Sequence, residues 1–538
     1  MTRFFRTVGK ITRYPLVFVL LVVTLSLYGM YPTTLAASPN TQPAVFHSID
    51  AYVTAQMQTM HIPGIALGIV QGDQIVHTQG FGMANPSGQP MTPRIPLILG
   101  STTKSFTALA VMQLVEAGKI SLDAPVQHYL PWFQVAAPAS ALSTPSAAST
   151  ITIRHLLNHI SGIPTRAVEE SLTGNGVETL EQEVRALSQV SLTAPVGTTY
   201  QYSNMNYATL GLVVQAVSGQ SYGSYIEEHI FEPLQMANSF TSQTEARQHG
   251  MATGYRWWFG LAVPADLPYL HGSLPEGFLI SSAEDMTHYL VAQMNNGRYL
   301  DTSVLSAGGI AQLHQPAVSM DSREVQGDMY GMGWVISPAS GSLGVTSVWH
   351  GGDTANFHSD MIILPEKQLG IVVLMNVNGN FAMMSNAQGV IAHGIERILL
   401  GQPAPPASVF GQHYLWLDGI LLLCSGLVLW SFVRLLRRRA QSLRQDPLNV
   451  LTSLLLPMLW EVALPAFLLI GFPPLMRASW PLILLYFPDF GNWLLVLCLI
   501  LLATGTTRLV LAPSRLRKKD APVSPHTPED IPALAHAL

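Results

Sequence analysis

Between residues 45 and 400 the apolar positions follow two different periods. Ile65-Ala66-Leu67-Gly68-Ile69-Val70 is a short continuous apolar run. Gln71-Gly72-Asp73 is a turn, and Gln74-Ile75-Val76-His77 returns, so the stretch predicts a hairpin. Near the other end, Ser347-Val348-Trp349-His350-Gly351-Gly352, Met361-Ile362-Ile363-Leu364 and Gly370-Ile371-Val372-Val373-Leu374-Met375 predict three strands separated by turns. The pattern between them is helical. An apolar run from Ala108 to Val115 is ended by Gly118, and Thr152 to His159 is capped by Thr152 and stopped by Gly162 and Pro164. Asn206 to Val217 ends at Gly219, a second helix runs from Ser221 to Ile230, and Ser281-x-x-Glu284 reads as a capping box ahead of Met286, Tyr289 and Leu290. A last helix is expected from Asn386 to Leu400. Strands at both ends with helices between predict an α+β domain over 45–400, an antiparallel sheet flanked by helices plus an all-α lobe.

The chain outside that domain is patterned for a membrane. Arg3, Arg6, Lys10 and Arg13 precede an apolar run from Leu16 to Met30 and small residues at Ala36-Ala37, so residues 1–38 read as a signal peptide or an N-terminal anchor. After a Pro/Ala linker at 401–412, apolar runs at 416–433, 450–472 and 493–511 each approach the length of a bilayer span, predicting a three-helix transmembrane region over 413–512. Residues 480–488 are apolar as well and suit the interface. Arg437, Arg438, Arg439 and Arg444 lie between the first two runs, and Arg515, Arg517, Lys518 and Lys519 follow the third. Only Arg477 lies between the second and third. The positive-inside rule therefore puts both clusters and the tail 513–538 in the cytoplasm and the 45–400 domain outside.

Composition agrees. Of 538 residues 48% are hydrophobic and only 11% charged, too apolar for a purely soluble protein. A formal charge of −5 without a basic stripe argues against nucleic acid as a partner. The two cysteines, Cys424 and Cys498, both fall in C-terminal apolar runs, so the 45–400 region has neither disulfide nor thiol nucleophile. Residues 135–150 are Ala, Pro and Ser without charge, which marks a surface insertion.

The candidate chemistry centres on Ser101-Thr102-Thr103-Lys104. Ser-x-x-Lys puts a hydroxyl and an amine one helical turn apart on one face. The amine can take the hydroxyl proton if burial keeps its pKa low. Taken alone, Ser101 as a helix N-cap with a solvated Lys104 explains the motif equally well. Yet the chain has six lysines, and only Lys104 follows a serine at that spacing.

Tyr202-Ser203-Asn204 and His350-Gly351-Gly352 follow in order, with supporting blocks at Gly118–Asp123, Leu157–Gly162 and Tyr330–Trp334. With these, residues 45–400 resemble the serine beta-lactamase and penicillin-binding protein superfamily, in its class C-like branch. The resemblance implies that Ser101 becomes the acyl-enzyme and that Lys104 and Tyr202 share the proton traffic and titrate together, with Tyr202 as base toward the deacylating water. It further implies that Asn204 holds Lys104 and a substrate amide. His350 is expected on an edge strand facing the nucleophile, partly charged near neutrality. Gly351 and Gly352 would let substrate approach the backbone, and the N–H of Asp353 would complete an oxyanion hole with that of Ser101.

Rival sites are weaker. Gly219-Gln220-Ser221-Tyr222-Gly223 spells G-x-S-x-G, but a helix precedes it where a nucleophile elbow needs a strand. His155 and His159 have metal-ligand spacing, but Leu156 stands where a zincin has Glu. Glu461, inside the second apolar run, is expected to bond to a neighbouring helix. The expectation is therefore a membrane-anchored serine hydrolase on the extracytoplasmic side, without metal or cofactor. Its substrates would be small esters, amides or D-amino-acid-containing peptides. The alternatives are a slowly acylated penicillin-binding sensor and a true class C-like beta-lactamase.

Overall fold

A computed structural model of the chain describes residues 42–136, 147–165, 179–320, 327–341, 343–379, 388–406, 408, 410–437, 455–476 and 478–516. The N-terminal leader, most of the 135–150 insertion, the basic clusters beyond Arg437 and the tail from 517 lie outside these residues. The described chain forms two compact units. Among the described residues, one comprises those within 42–419 together with 478–491, and the other those within 420–476 and 492–516.

The first unit is built on an eight-stranded sheet. Its strands are β1 (Gly64–Gln71), β2 (Gln74–Gly82), β3 (Val318–Ser319), β4 (Met329–Tyr330), β5 (Val335–Ser337), β6 (Ser347–Asp353), β7 (His358–Leu364) and β8 (Leu369–Met375), in spatial order β2-β1-β8-β7-β6-β5-β4-β3. Every neighbour pair is antiparallel. Chain-terminal β1 and β8 pair directly, Ile65 opposite Met375 and Ile69 opposite Ile371. The two ends of the domain therefore close one sheet.

Both faces are covered, which is why β1 and β8 read as unbroken apolar runs. On one face Ile65, Leu67 and Ile69, with Ile371, Val373 and Met375, pack under helices α1 (Gln42–Met60) and α5 (Gly389–Leu399). On the other, Ala66, Val70, Val372 and Leu374 meet the helical lobe. That lobe contains α2 (Thr103–Glu116), α3 (Asn204–Ser218) and α4 (Ala283–Met294). Nearly every side of α2 is buried, so it is the lobe's central helix and not an amphipathic surface one.

Several expected boundaries hold and others move. Gly118 ends α2 with φ +70°, and Ser221 caps Tyr222–Ile226, whose continuation from Glu227 to Phe231 widens into a π turn. The capping residue of α4 is Ser282, bonded to the N–H of Asp285, one position later than expected, because Ser281 is a strand residue paired with Leu97. Helix α5 starts at Gly389. The strand of His350 is not an edge strand, since β5 flanks β6. But β5 pairs only with Ser347–Trp349, leaving the Gly351–Asp353 half of β6 without an outer neighbour.

Among the described residues, two C-terminal helices are long and apolar enough to cross a bilayer where three spans were expected: α6 (Phe410–Arg437) and a helix from Pro488 to Leu516. At 28 and 29 residues, each is roughly 42–44 Å long at 1.5 Å per residue, more than the ~30 Å of hydrocarbon. The described part of the middle run holds one shorter apolar helix, Leu456–Ile470, which passes through a π turn at 459–463 and carries Pro457 and Pro465, followed by a short helix over 472–475 with Pro473 and Pro474. Proline removes a helical donor and clashes with the preceding turn, which breaks up the described part of this run. Between it and Pro488, helix α7 (Trp480–Tyr486) belongs to the sheet-containing unit, and we label the last helix α8.

Candidate active site

Ser101 stands on a 3-10 turn, Gly100–Thr102, that leads into α2. Gly100 takes φ +58°, and a Cβ there would lie 2.4 Å from the Asp353 nitrogen. Glycine is required both by the backbone conformation and by the approach of β6. A Cβ on Gly352 would come 2.0 Å from Leu99 O and 2.9 Å from Ser101 N. The two glycines let the end of β6 and the Ser101 turn meet backbone to backbone. The Thr354 N–H donates to Phe357 O (3.0 Å) at the tip of the β6–β7 hairpin. Antiparallel alternation then turns the Asp353 N–H away from β7, toward Ser101.

Lys104, one turn along α2, is fully buried. Its Nζ lies 3.0 Å from Ser101 Oγ, 2.9 Å from Asn204 Oδ1 and 2.6 Å from the carbonyl of Glu276. Asn204 is the first residue of α3, and Tyr202, two residues before it, donates its hydroxyl to Ser101 Oγ at 2.8 Å. Serine, lysine and tyrosine thus share one hydrogen-bonded cluster. The carbonyl of Glu276 is fixed by α2 itself, since Thr107 donates to Pro275 O and Leu279 N–H bonds to Thr103 Oγ1.

Burial sets the electrostatics. It lowers the Lys104 pKa, an effect the Glu276 carboxylate partly offsets. It raises the Glu276 carboxyl, and the Glu183 carboxylate raises it further. It also pushes the Tyr202 hydroxyl well above its usual range, so the resting side chain is a neutral phenol. The carboxyl group that couples to Lys104, favouring its ammonium form when ionised, is that of Glu276. This residue escaped the sequence reading, although it is the only Asp, Glu, Lys or Arg between Asp266 and Glu284.

The third motif departs from expectation. His350 is buried, its Nδ1 2.6 Å from Gly351 O and its Nε2 3.3 Å from the Tyr330 hydroxyl. Burial, then Lys104, lowers it to about 4, so at neutral pH it is uncharged. The Asp353 carboxylate turns away from Ser101, held by His358 Nδ1 at 2.7 Å and Asn378 Nδ2 at 2.7 Å. The other His358 nitrogen meets Asp360 at 2.9 Å.

The supporting blocks also find physical roles. His159 packs behind Tyr202, ring centroids 4.4 Å apart, with Tyr330 on its other side at 4.9 Å. Asn206 and Ser203 bond to its Nδ1, so His159 is a structural neighbour of the site. His155 instead caps its own helix against Thr152, and the pair holds no metal-ligating geometry. Ser221 is an exposed N-cap, not a nucleophile elbow.

A cleft of about 410 Å³ opens from Ser101, Asn204 and Asp353. Its lining also includes Arg247, Asp266, Glu276, the apolar Met251, Leu267 and Phe278, and Leu485 and Tyr486 of α7. Arg247 is engaged by Asp266.

A family model described as Beta-lactamase matches residues 49–394. The chain is 29% identical over 334 residues to "Protein flp" of Staphylococcus aureus strain MW2, covering 62% of this chain and 63% of that one, less than two thirds of the relative's length. It is 31% identical over 331 residues to "Penicillin-binding protein 4" of Amycolatopsis lactamdurans, covering 60% and 82%. Among solved structures, the octameric penicillin-binding protein homologue from Pyrococcus abyssi superposes with a TM-score of 0.58 at 29% identity, over 68% of this chain and 80% of that one.

Proposed function

The chain belongs to the beta-lactamase family, and from that premise we propose that it is a membrane-anchored serine hydrolase that forms an acyl-enzyme on Ser101. The observation that carries the reading is the set of partners around Lys104. Asn204 Oδ1 and the Glu276 carbonyl only accept hydrogen bonds. A neutral amine gives them its two N–H groups, and its lone pair then faces the one neighbour left, Ser101 Oγ. Lys104 is placed to receive the Ser101 proton as the oxygen attacks an acyl carbonyl. The N–H groups of Ser101 and Asp353 face the developing oxyanion, where one donor typically contributes about 2.7–4 kcal/mol. The phenol of Tyr202 donates to Ser101 Oγ, which suits it to pass a proton to the leaving group and to take one back from the deacylating water.

Charge narrows the substrate. A neutral His350 offers no cation to a substrate carboxylate, and Arg247 is already paired. The Asp266 carboxylate lines the cleft as well. Neutral esters and amides, or substrates with a free amine such as D-aminoacyl compounds, fit better than penicillins or stem-peptide carboxylates.

Membrane attachment rests on helix length. The two long apolar helices, α6 and α8, are the segments that would hold the chain in a bilayer. With the basic clusters in the cytoplasm, the active site faces the extracytoplasmic side.

The test is a turnover assay of the purified full chain on p-nitrophenyl acetate and a D-alanine anilide, with nitrocefin alongside. Ser101→Ala is expected to lose roughly 10³-fold or more of the ester turnover, and mass spectrometry should find the acyl adduct on the Ser101 peptide. Unchanged turnover in Ser101→Ala would sink the reading, and one adduct per chain without turnover would favour the sensor.

A further inference from the structure

The two segments that enter bilayer-length helices both fold onto one hairpin of the hydrolase unit. That hairpin is Tyr255–Trp258 paired with Leu261–Pro264, closed by Phe259 and Gly260. The first two turns of α6 reach it through Phe410, whose ring lies 4.8 Å from that of Trp257. The 478–491 segment reaches it through Arg256, which donates to Leu485 O (3.0 Å), and through Asp489, which accepts the Phe259 N–H (3.0 Å).

The hairpin tip is unusual in two respects. Phe259 adopts φ +49° beside Gly260 at +74°, the pattern of a type I′ turn, a conformation that a bulky side chain occupies only with strain. Phe259, Leu261 and Val263 are also exposed, at 40%, 62% and 40%. A strained turn that holds an aromatic ring outward, next to two aliphatic side chains, matches an apolar surface outside the hydrolase unit. Because Asp489, which accepts the Phe259 N–H, is the second residue of α8, the nearest such surface is the bilayer interface.

The catalytic cleft borders the same segment. Its lining includes Ser101, Gly254 and Ala265 at the foot of the hairpin, and Leu485 and Tyr486, within three residues of the start of α8. We propose that the hairpin tip seats on the outer membrane surface and that the cleft takes its substrates from it: amphiphiles that carry the ester or amide near a polar head and keep an apolar chain against α7. The proposal rests on the serine hydrolase reading above, whose failure has its own signature in the acetate assay.

The full chain, reconstituted in phosphatidylglycerol–phosphatidylcholine vesicles, is given p-nitrophenyl acetate, which is soluble, and p-nitrophenyl palmitate, which partitions into the vesicle. A higher kcat/KM is expected for palmitate. Leu261→Ser/Val263→Ser should lower the palmitate value roughly tenfold and leave acetate within about twofold. Leu485→Glu should lower palmitate roughly tenfold more than acetate. Equal losses on both substrates, or no loss in either variant, would overturn the proposal while leaving the hydrolase reading intact. A hairpin variant that changes oligomeric state and not palmitate turnover would assign the tip to a second copy of the chain and also overturn it. No acetate hydrolysis by the wild type would instead remove the reading on which it rests.

Discussion

At the scale of single residues, the decisive feature is that Lys104 carries almost no freedom. Its three neighbours leave one direction for a lone pair, and its burial makes a neutral amine reachable. Glu276 opposes this by favouring the ammonium form. The signs give a prediction. Only the deprotonated amine accepts the Ser101 proton, so kcat/KM on a neutral ester should rise with pH as Lys104 loses its proton, below the ordinary lysine range. Glu276→Gln removes a carboxylate that holds the lysine pKa up, so that rising limb should move to lower pH. A pH–rate profile in which it stays in place, or moves higher, would show that the carboxylate is not felt at Lys104.

At the scale of elements, the end of β6 has no outer strand to hold it. His358 supplies the missing restraint from β7, with one ring nitrogen on Asp353 and the other on Asp360. Burial alone would lower the His358 pKa, but the two carboxylates outweigh it and raise it from 6.5 to about 10. A histidine raised in the folded state contributes stability in full below 6.5, and that contribution drains away as the pH climbs through about 10. The thermal midpoint of the hydrolase unit should therefore fall across that window. His358→Gln should be less stable at neutral pH and lose less on going alkaline. Parallel midpoint-versus-pH curves for the two proteins would contradict this. The His-Gly-Gly motif was legible along the sequence because its chemistry is local. The clamp was not, because although His358 and Asp360 share β7, Asp353 and Asn378 join them only across the β6–β7 hairpin and from beyond β8.

At the scale of the whole molecule, the C-terminal unit has its own polar anchor. Glu461, expected to bond to a neighbouring helix, meets Arg508 of α8 with Nε 2.7 Å from Oε2. Breaking a buried pair leaves a bare charge and typically costs about 3–5 kcal/mol, whereas removing both partners is often close to neutral. Glu461→Leu should thus lower the detergent-solubilised thermal midpoint sharply, and Glu461→Leu/Arg508→Leu should recover most of it. A double variant as unstable as the single one would show that the pair is not what holds the two segments.

What the sequence determined by itself was whatever is encoded within a few residues: the strand and helix periods, the Ser-x-x-Lys spacing, and the apolar lengths of α6 and α8. Short-range geometry fixes those, whatever the rest of the chain does. Only the tertiary structure decided that His350 is neutral, that Glu276 faces Lys104, that β6 is an edge along half its length, and that 478–491 returns to close the cleft. Each of these depends on burial or on contacts between residues far apart in the chain, and neither burial nor distance is written in local pattern.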